Sequence, residues 1–550
     1  MNNTVELPSL YYKDNFEALC QSVWSQYEDL LSQSERHFYA LYEGLGAEAR
    51  CLYIRLVSRR GVCFRSEQLN YAELGDLSQP MAELTQAGLL AIDDNPEPQE
   101  LFRLLRKPEL LEIFAEELEG KRSYRKQQLQ DYLSAELTSE AIVARWLGWR
   151  PVNSTLVEVC YQDCIELLQL LFFGNRHQGL TDFVLSDLGV VRHHPYRLDR
   201  AHRLFGRREE IDDYLYLGVL REQFDQALEE GDKESMLELV APLLESGPSV
   251  LLEQRRDKLR NRLARQLERE ECLLEALGVY EVCMAHPARE RRVRIFNKQQ
   301  RYQAARDLCI AMDSNPWCEE EIDFLQRQMP QLDKKLGLPG RVRKKDSFLE
   351  EHLCLQRKAS VEQASAAHYG RNWQRSEYVE NSLMNSVFGL AFWDQIFQSV
   401  PGAFVNPYQA APLDMYSREF YARRSDSIEA KLEELEEGFA EYILALYDEN
   451  FGISNRWINW RYLEREMLAA ALRTIPLNHW RAIWRRILFD PGANRSGFPD
   501  LICLNAGQDY CLIEVKGPGD QLQLNQRRWL RFFAQQGIPA RVAWVEWCDD

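Results

Sequence analysis

The feature that most constrains the fold is a pair of apolar segments near the C-terminus, residues 501–504 and 510–516, joined by a short polar turn at 505–509. Both segments are rich in aliphatic residues, and the turn contains asparagine, glycine and aspartate, so the pattern predicts an antiparallel β-hairpin. Paired strands lie about 4.8 Å apart, which brings side chains on one strand close to those on the next.

Two acids and a lysine fall on this hairpin. Asp500 precedes the first segment and is predicted roughly opposite Val515, while Glu514 and Lys516 are two residues apart and share a face. Oxygen ligands of this kind suit a hard divalent ion such as Mg²⁺ or Mn²⁺, which polarises a phosphoryl oxygen and lowers the pKa of a bound water. The pattern therefore predicts metal-dependent cleavage of nucleic acid. The alternative is a solvated hairpin that carries a surface aspartate and an edge-strand ion pair.

The hairpin motif and two upstream segments are similar to one known family. Pro499-Asp500 followed by Glu514-Val515-Lys516 resembles the signature of the PD-(D/E)XK nucleases, and residues 525–530 resemble the helix that follows it in the VRR-NUC branch. Residues 379–397, and then 412–414 with 420–424, resemble blocks of the Fanconi-anaemia-associated nuclease family. Since the three blocks occur in the family's order, the chain is identified as a bacterial member of that family.

The resemblance implies a set of site residues and one or two Mg²⁺ or Mn²⁺ ions. Glu380 would be a third acidic ligand, supplied from a helix, and the Val515 carbonyl would complete the protein's share of the coordination. Lys516 would orient the attacking water or offset charge, and Gln526 is implied as a further catalytic residue. A 3′-hydroxyl would leave, and the phosphate would remain on the 5′ end of the fragment downstream of the cut. Two basic residues are candidate phosphate anchors: Arg423 and Arg424.

The function implied by the resemblance is a structure-selective DNA nuclease that incises 5′ flaps, degrades DNA from 5′ to 3′ and serves interstrand-crosslink repair. Two alternatives remain open: a Holliday-junction or other branched-DNA endonuclease, and a repair scaffold with an inert nuclease fold. Expected partners are branched or flap DNA and a possible protein on the helical repeats. We expect no membrane association and a monomer or weak dimer.

Composition limits how the chain can meet nucleic acid. Its 550 residues carry a formal charge of −18, so the long-range electrostatic field of the protein repels phosphate. DNA must therefore bind at local basic patches. The start of the sequence lacks the features of a signal peptide and no segment has 18 uninterrupted apolar residues, which predicts a cytoplasmic protein, nucleoid-associated when bound to DNA. Thirteen cysteines scattered among apolar neighbours predict buried free thiols.

The expected fold is multidomain and mainly α, ending in an α/β PD-(D/E)XK nuclease domain of the VRR-NUC type. Residues 1–100 predict a helical, winged-helix-like domain, and 101–150 resemble the SAP DNA-binding module. Amphipathic periodicity over 151–340 predicts TPR-like helical hairpins, and a Gly, Pro and basic run then separates the nuclease domain at 346–550. Four basic residues of the SAP-like loop are expected to clamp phosphates without reading sequence: Lys121, Arg122, Arg125 and Lys126.

Overall fold

Two units, Met1–Val191 and Arg192–Asp550, make up the chain in the computed structural model. The structure describes residues 10–59, 61–93, 96–151, 154–176, 178, 191–247, 249–339, 346–357, 360–436, 438–507 and 509–548.

The first unit is built around a small antiparallel sheet. Its strand order is β1 (Cys63–Arg65), β3 (Leu156–Val159), β2 (Leu90–Ile92), so the last strand in sequence lies in the middle. The predicted boundary at residue 150 therefore falls inside this domain, because β3 completes a sheet whose other strands lie before residue 93. The helices around the sheet are Tyr11–Tyr27, Gln33–Glu43, Ala47–Val57, Ser78–Gln86 and Gln162–Phe173.

The SAP-like module is an insertion between β2 and β3. Proline in the first turn of its first two helices suits helix starts, since the missing N–H has no intrahelical partner there. Leu101, Phe114, Leu129 and Trp146 of the module are buried in a core that also includes Leu156 of β3. Its helices are Pro98–Leu104, Lys107–Ile113, Lys126–Glu136 and Ser139–Trp149.

The second unit begins with α-helices that pack in sequence order, as expected for TPR-like hairpins. From Val250 onward each helix packs against the next one along the chain. The apolar faces meet in two clusters, one around Leu263 and Val279 and the next around Phe324. These helices are Arg208–Glu230, Lys233–Glu238, Val240–Leu244, Val250–Arg269, Leu273–Val282, Ala288–Lys298, Tyr302–Ser314 and Glu319–Lys335.

A five-stranded mixed sheet forms the core of the C-terminal domain. Its strand order is β4-β8-β7-β6-β5, in which β8 runs parallel to β4 and β7, while β6 is antiparallel to β7 and β5. The predicted hairpin is thus the β6–β7 pair. The strands are β4 (Glu350–Gln356), β5 (Arg375–Tyr378), β6 (Leu501–Leu504), β7 (Tyr510–Lys516) and β8 (Ala540–Cys548).

Helices cover both faces of this sheet, which explains why β6 and β7 are buried at every position and read as apolar runs. The odd-numbered residues of β6 pack with the region of helix Val361–Tyr369, and the even-numbered residues join a larger helical core that includes Trp529. The helices of this domain are Val361–Tyr369, Leu383–Ala391, Trp393–Ile396, Glu419–Ala422, Ser425–Glu434, Phe439–Asn450, Arg465–Thr474, Leu477–Phe489, Pro491–Asn494 and Leu524–Gln536.

Cysteine usage differs in part from the prediction. Cys51, Cys63 and Cys309 are buried free thiols, as expected. The prediction is wrong for Cys354 and Cys548, which form a disulfide between the neighbouring strands β4 and β8 with their Cα atoms 5.4 Å apart. Sequence alone could not reveal this pair, because the two residues are 194 positions apart. Within the described parts of the chain, no helix has the length and apolar character needed to cross a membrane.

Candidate active site

Strand register decides whether the two acids of the hairpin meet. Leu501 lies opposite Ile513 and Ile502 opposite Leu512, so the alignment continues from Asp500 to Glu514. The predicted register, with Asp500 opposite Val515, is therefore wrong by one residue. The difference matters because a one-residue slip turns a side chain to the other face of a sheet. The observed register puts Asp500 and Glu514 on one face.

Asp500 is held at the start of β6 by two neighbouring strands. The Val515 N–H donates to Asp500 Oδ2 over 2.7 Å, and the Asp500 carbonyl accepts from the Val379 N–H at 2.8 Å. Burial, together with the negative charge of Glu380, raises the pKa of Asp500 to about 6, although the Val515 hydrogen bond and Lys516 act in the opposite direction. The carboxyl thus resists ionisation until a cation or another positive group compensates for burial.

Glu514 is fully buried beside Lys516. The Lys516 Nζ lies 2.9 Å from Glu514 Oε1, yet neither carboxylate oxygen accepts a well-directed hydrogen bond from the described residues. Burial raises the pKa of Glu514 to about 8, with Asp500 the next largest cause. A buried carboxylate with unused acceptor capacity is costly unless a partner arrives. The carboxylate oxygens of Asp500 and Glu514 therefore fit a divalent cation that prefers oxygen ligands.

Glu380 reaches the site from a turn and not from a helix as predicted. It lies between β5 and helix Leu383–Ala391, where Asn381 adopts the left-handed conformation with φ +49°. The Tyr378 hydroxyl donates to Glu380 Oε2, and the Asn381 side chain donates to Glu380 Oε1 at 3.1 Å.

The three acids are close enough to act on one another. The charge of Glu380 raises the pKa of both Asp500 and Glu514. Across the described ranges, however, no three His, Cys, Asp or Glu side chains already stand in a metal-binding arrangement. The three carboxylates therefore influence one another electrostatically without forming a complete coordination set.

Two groups near the acids were missed by sequence reasoning. Glu362, near the start of helix Val361–Tyr369, adds its negative charge to those that raise the pKa of Asp500. Tyr378 bonds directly to Glu380. The sequence feature that could have pointed to Tyr378 is its two-residue spacing from Glu380 at the end of a strand. No sequence feature pointed to Glu362.

A glycine and a helix N-terminus shape the edge of the site. Gly497 has φ +89°, and a Cβ there would lie 2.8 Å from the backbone carbonyl carbon of Asn525, so only glycine fits without movement. This close approach brings helix Leu524–Gln536 next to the segment that precedes Asp500. The Gln526 side chain accepts from the Gln523 N–H at 2.9 Å and thereby caps its own helix. Its catalytic role stays a prediction.

The predicted SAP contacts occupy a loop and the first turn of a helix. Arg122 and Arg125 are exposed, as a phosphate contact requires. Lys121 is half-buried over the Tyr132 ring at 4.2 Å, and Lys126 donates to the Arg103 carbonyl at 3.3 Å. Both lysines would have to leave these contacts to bind DNA. Arg122 and Arg125 are therefore better placed to contact phosphate than Lys121 and Lys126.

The structure argues against Arg424 as a phosphate anchor, because its guanidinium is fully buried and pairs with Asp414 at 2.9 Å. Arg423 contacts the same carboxylate at 2.9 Å, donates to the Pro401 carbonyl and remains partly exposed. The sequence shows two adjacent arginines and cannot distinguish the one that faces the core.

Replacing Arg424 with alanine should therefore lower the free energy of unfolding by about 3 kcal/mol, because breaking a buried ion pair leaves Asp414 poorly compensated. Arg465, in an exposed pair with Asp448, is the matched control, and its alanine variant should lose less than about 1 kcal/mol. Urea unfolding measures both values. An Arg424→Ala protein of normal stability that binds DNA more weakly would restore the phosphate role.

Comparison with known proteins gives three matching family models. The VRR-NUC domain matches residues 436–547, the FAN1 HTH domain matches 10–91, and the Fanconi anemia-associated nuclease SAP domain matches 97–146. The fold and the site thus define a DNA-cleaving hydrolase of the VRR-NUC class, a class that generally depends on divalent metal ions.

Similar proteins cover the whole chain. The Fanconi-associated nuclease 1 homolog of Pseudomonas aeruginosa is 35% identical, over all of this chain and 98% of its own length. Fanconi-associated nuclease 1 of Homo sapiens is 23% identical, and the match covers 97% of this chain and 62% of the human protein. A crystal structure of paFAN1 bound to 5′-flap DNA with a gap is 34% identical, covers 99% of this chain and 100% of that one, and superposes with a TM-score of 0.84. This chain belongs to the Fanconi-associated nuclease 1 family, which confirms the resemblance found in the sequence.

Proposed function

We propose that this nuclease cuts DNA 5′ flaps near the junction, degrades DNA from 5′ to 3′ and acts in interstrand-crosslink repair. The catalytic part rests on one observation: the register of β6 and β7 aligns two buried acids beside a lysine. The flap preference is supported by similarity over the whole chain to paFAN1, which has been crystallised with 5′-flap DNA.

Glu380, Asp500 and Glu514 would hold one or two Mg²⁺ or Mn²⁺ ions, with the Val515 carbonyl as a fourth ligand. When bound, such an ion acts as a Lewis acid and lowers the pKa of a bound water. The choice of Mg²⁺ or Mn²⁺ follows from an all-oxygen donor set.

Lys516 has two roles in this proposal. Its ammonium group lies against Glu514 and favours the ionised form of that acid, which is the form a cation requires. The same positive charge can offset the negative charge that develops on the attacked phosphate. Because Lys516 is itself mostly buried, its charge is screened less by water than that of a surface lysine.

Binding of the duplex is assigned to local basic groups. Arg122 and Arg125 in the SAP module are exposed and would contact phosphates, which position DNA without reading its sequence. Arg423 remains a candidate anchor next to the nuclease domain's Asp414. Affinity should fall with added salt, with a slope set by these few contacts.

The test compares substrates of equal sequence and length under one condition. A labelled 5′-flap duplex and a four-way junction are incubated with the purified chain and Mg²⁺, with EDTA as the control. The proposal expects flap cleavage to be at least about tenfold faster, a difference of roughly 1.4 kcal/mol between transition states. Faster cleavage of the four-way junction would favour the junction-endonuclease alternative, and cleavage unaffected by EDTA would contradict the metal-dependent mechanism.

A further inference from the structure

We propose that Asn381 and Tyr378 are positioning residues that hold Glu380 ready for a divalent cation. The inference deepens the proposed function and rests on the metal-dependent mechanism. It concerns how the one acid outside the hairpin is fixed relative to Asp500 and Glu514.

The Asn381 side chain joins two segments of the site. Its Nδ2 donates to Glu380 Oε1 at 3.1 Å, and its Oδ1 accepts from the Phe498 N–H at 3.3 Å. Phe498 lies two residues before Asp500. One amide group therefore links the turn that carries Glu380 to the segment that carries Asp500.

A second set of bonds fixes Asn381 itself. The Asn385 side chain donates to the Asn381 carbonyl at 2.7 Å and to the Arg495 carbonyl at 2.8 Å. Since Arg495 precedes Phe498 in the same segment, both asparagines tie the turn to the approach of β6. Asn381 itself adopts the left-handed backbone conformation, with φ +49°.

Tyr378 holds the other oxygen of the same carboxylate. Its hydroxyl donates to Glu380 Oε2 at 2.5 Å. The tyrosine is fixed by its place in β5, where it pairs with Leu501, the residue after Asp500. The residue is 54% exposed, so packing against a core does not account for its orientation.

These two hydrogen bonds leave Glu380 able to bind a cation. A carboxylate has about four acceptor positions, and here each oxygen uses one. Hydrogen-bond partners of a metal ligand orient it and raise its effectiveness, and loss of such a partner typically costs about 10- to 100-fold in metal affinity or activity. The expected effect of either residue is therefore on cation binding by the folded protein.

The experiment measures Mn²⁺ binding to the DNA-free, full-length protein by titration calorimetry at pH 8. The variants are Asn381→Gly, which tolerates positive φ, and Tyr378→Phe, which keeps the ring. Tyr462→Phe is the matched control, because Tyr462 is a 64% exposed tyrosine in the same domain. Glu380→Gln reports on the ligand itself, and the Mg²⁺ concentration for half-maximal cleavage gives a second readout.

We expect the Mn²⁺ dissociation constant to rise about tenfold in each positioning variant and to stay unchanged in Tyr462→Phe. Saturating Mg²⁺ should restore most of the cleavage rate of Tyr378→Phe. Wild-type Mn²⁺ affinity in both variants would overturn the positioning role while leaving the proposed function intact. Undetectable Mn²⁺ binding by the wild type, or wild-type binding by Glu380→Gln, would instead overturn the ligand assignment and the inference with it. A lowered melting temperature with unchanged affinity would mark a purely structural role.

Discussion

Replacing Asp500 with alanine is expected to abolish DNA cleavage while leaving DNA binding largely intact. Asp500 interacts with both other acids, since it aligns with Glu514 and its pKa is raised by the charge of Glu380. Loss of a central ligand removes Lewis-acid stabilisation of about 4 kcal/mol, which corresponds to a rate lower by about a thousandfold. Single-turnover cleavage of the 5′-flap substrate in Mg²⁺ measures this loss.

Asp500→Asn is the second variant, chosen because it preserves the local hydrogen bonding of the folded protein. Its side-chain oxygen can still accept the hydrogen bond that Val515 donates to Asp500, but the negative charge is absent. Both variants should bind flap DNA within about twofold of the wild type in a metal-free binding assay, because the phosphate contacts lie elsewhere. Appreciable metal-dependent cleavage by a clean preparation of either variant would refute the assignment of Asp500.

Cation affinity is expected to rise steeply with pH. The pKa values of Asp500, about 6, and Glu514, about 8, lie above those of exposed acids, chiefly because both groups are buried. A cation binds the ionised forms, so binding near pH 7 must release about one proton. While one proton is displaced, the Mn²⁺ dissociation constant should fall about tenfold for each unit of pH, until pH passes about 8.

The same pKa shifts predict an opposite trend for stability without metal. The folded state holds a proton on Glu514 between pH 4.5 and 8, where the unfolded chain has lost it. Stability of the metal-free protein should therefore decrease as pH rises through that window. Glu514→Gln should remove most of this decrease.

Calorimetry checks both statements. Titration with Mn²⁺ in buffers of different ionisation enthalpy counts the protons released, and thermal unfolding in EDTA gives stability against pH. A dissociation constant that does not change between pH 6 and 8 would contradict the buried-acid account.

Local sequence patterns predicted the elements that carry the chemistry. The alternation of apolar runs with a polar turn at 505–509 located β6 and β7, because a turn rich in Asn, Gly and Asp has few other conformations. The same patterns predicted the helical repeats, where the apolar spacing follows a helix. The family resemblance is confirmed over the full chain.

The features that escaped prediction depend on long-range packing. Strand β3 completes a sheet with strands that lie more than 60 residues earlier, so the SAP-like module is an insertion and not a separate segment between two domains. The predicted register of the hairpin differs from the observed one by one residue, because the composition of a turn does not determine which residues of the two strands pair. Glu380 lies in a turn next to Asn381, whose left-handed backbone conformation the sequence pattern does not predict. Arg424 and Arg423 both pair with Asp414, but tertiary packing buries Arg424 fully and Arg423 only partly.

The most direct test of the central claim is a crystal of the full-length chain soaked in Mn²⁺ and measured at a wavelength where manganese scatters anomalously. The account predicts an anomalous peak in contact with the carboxylates of Glu380, Asp500 and Glu514. A fully ordered site without such a peak, or a peak held by other side chains, would contradict it.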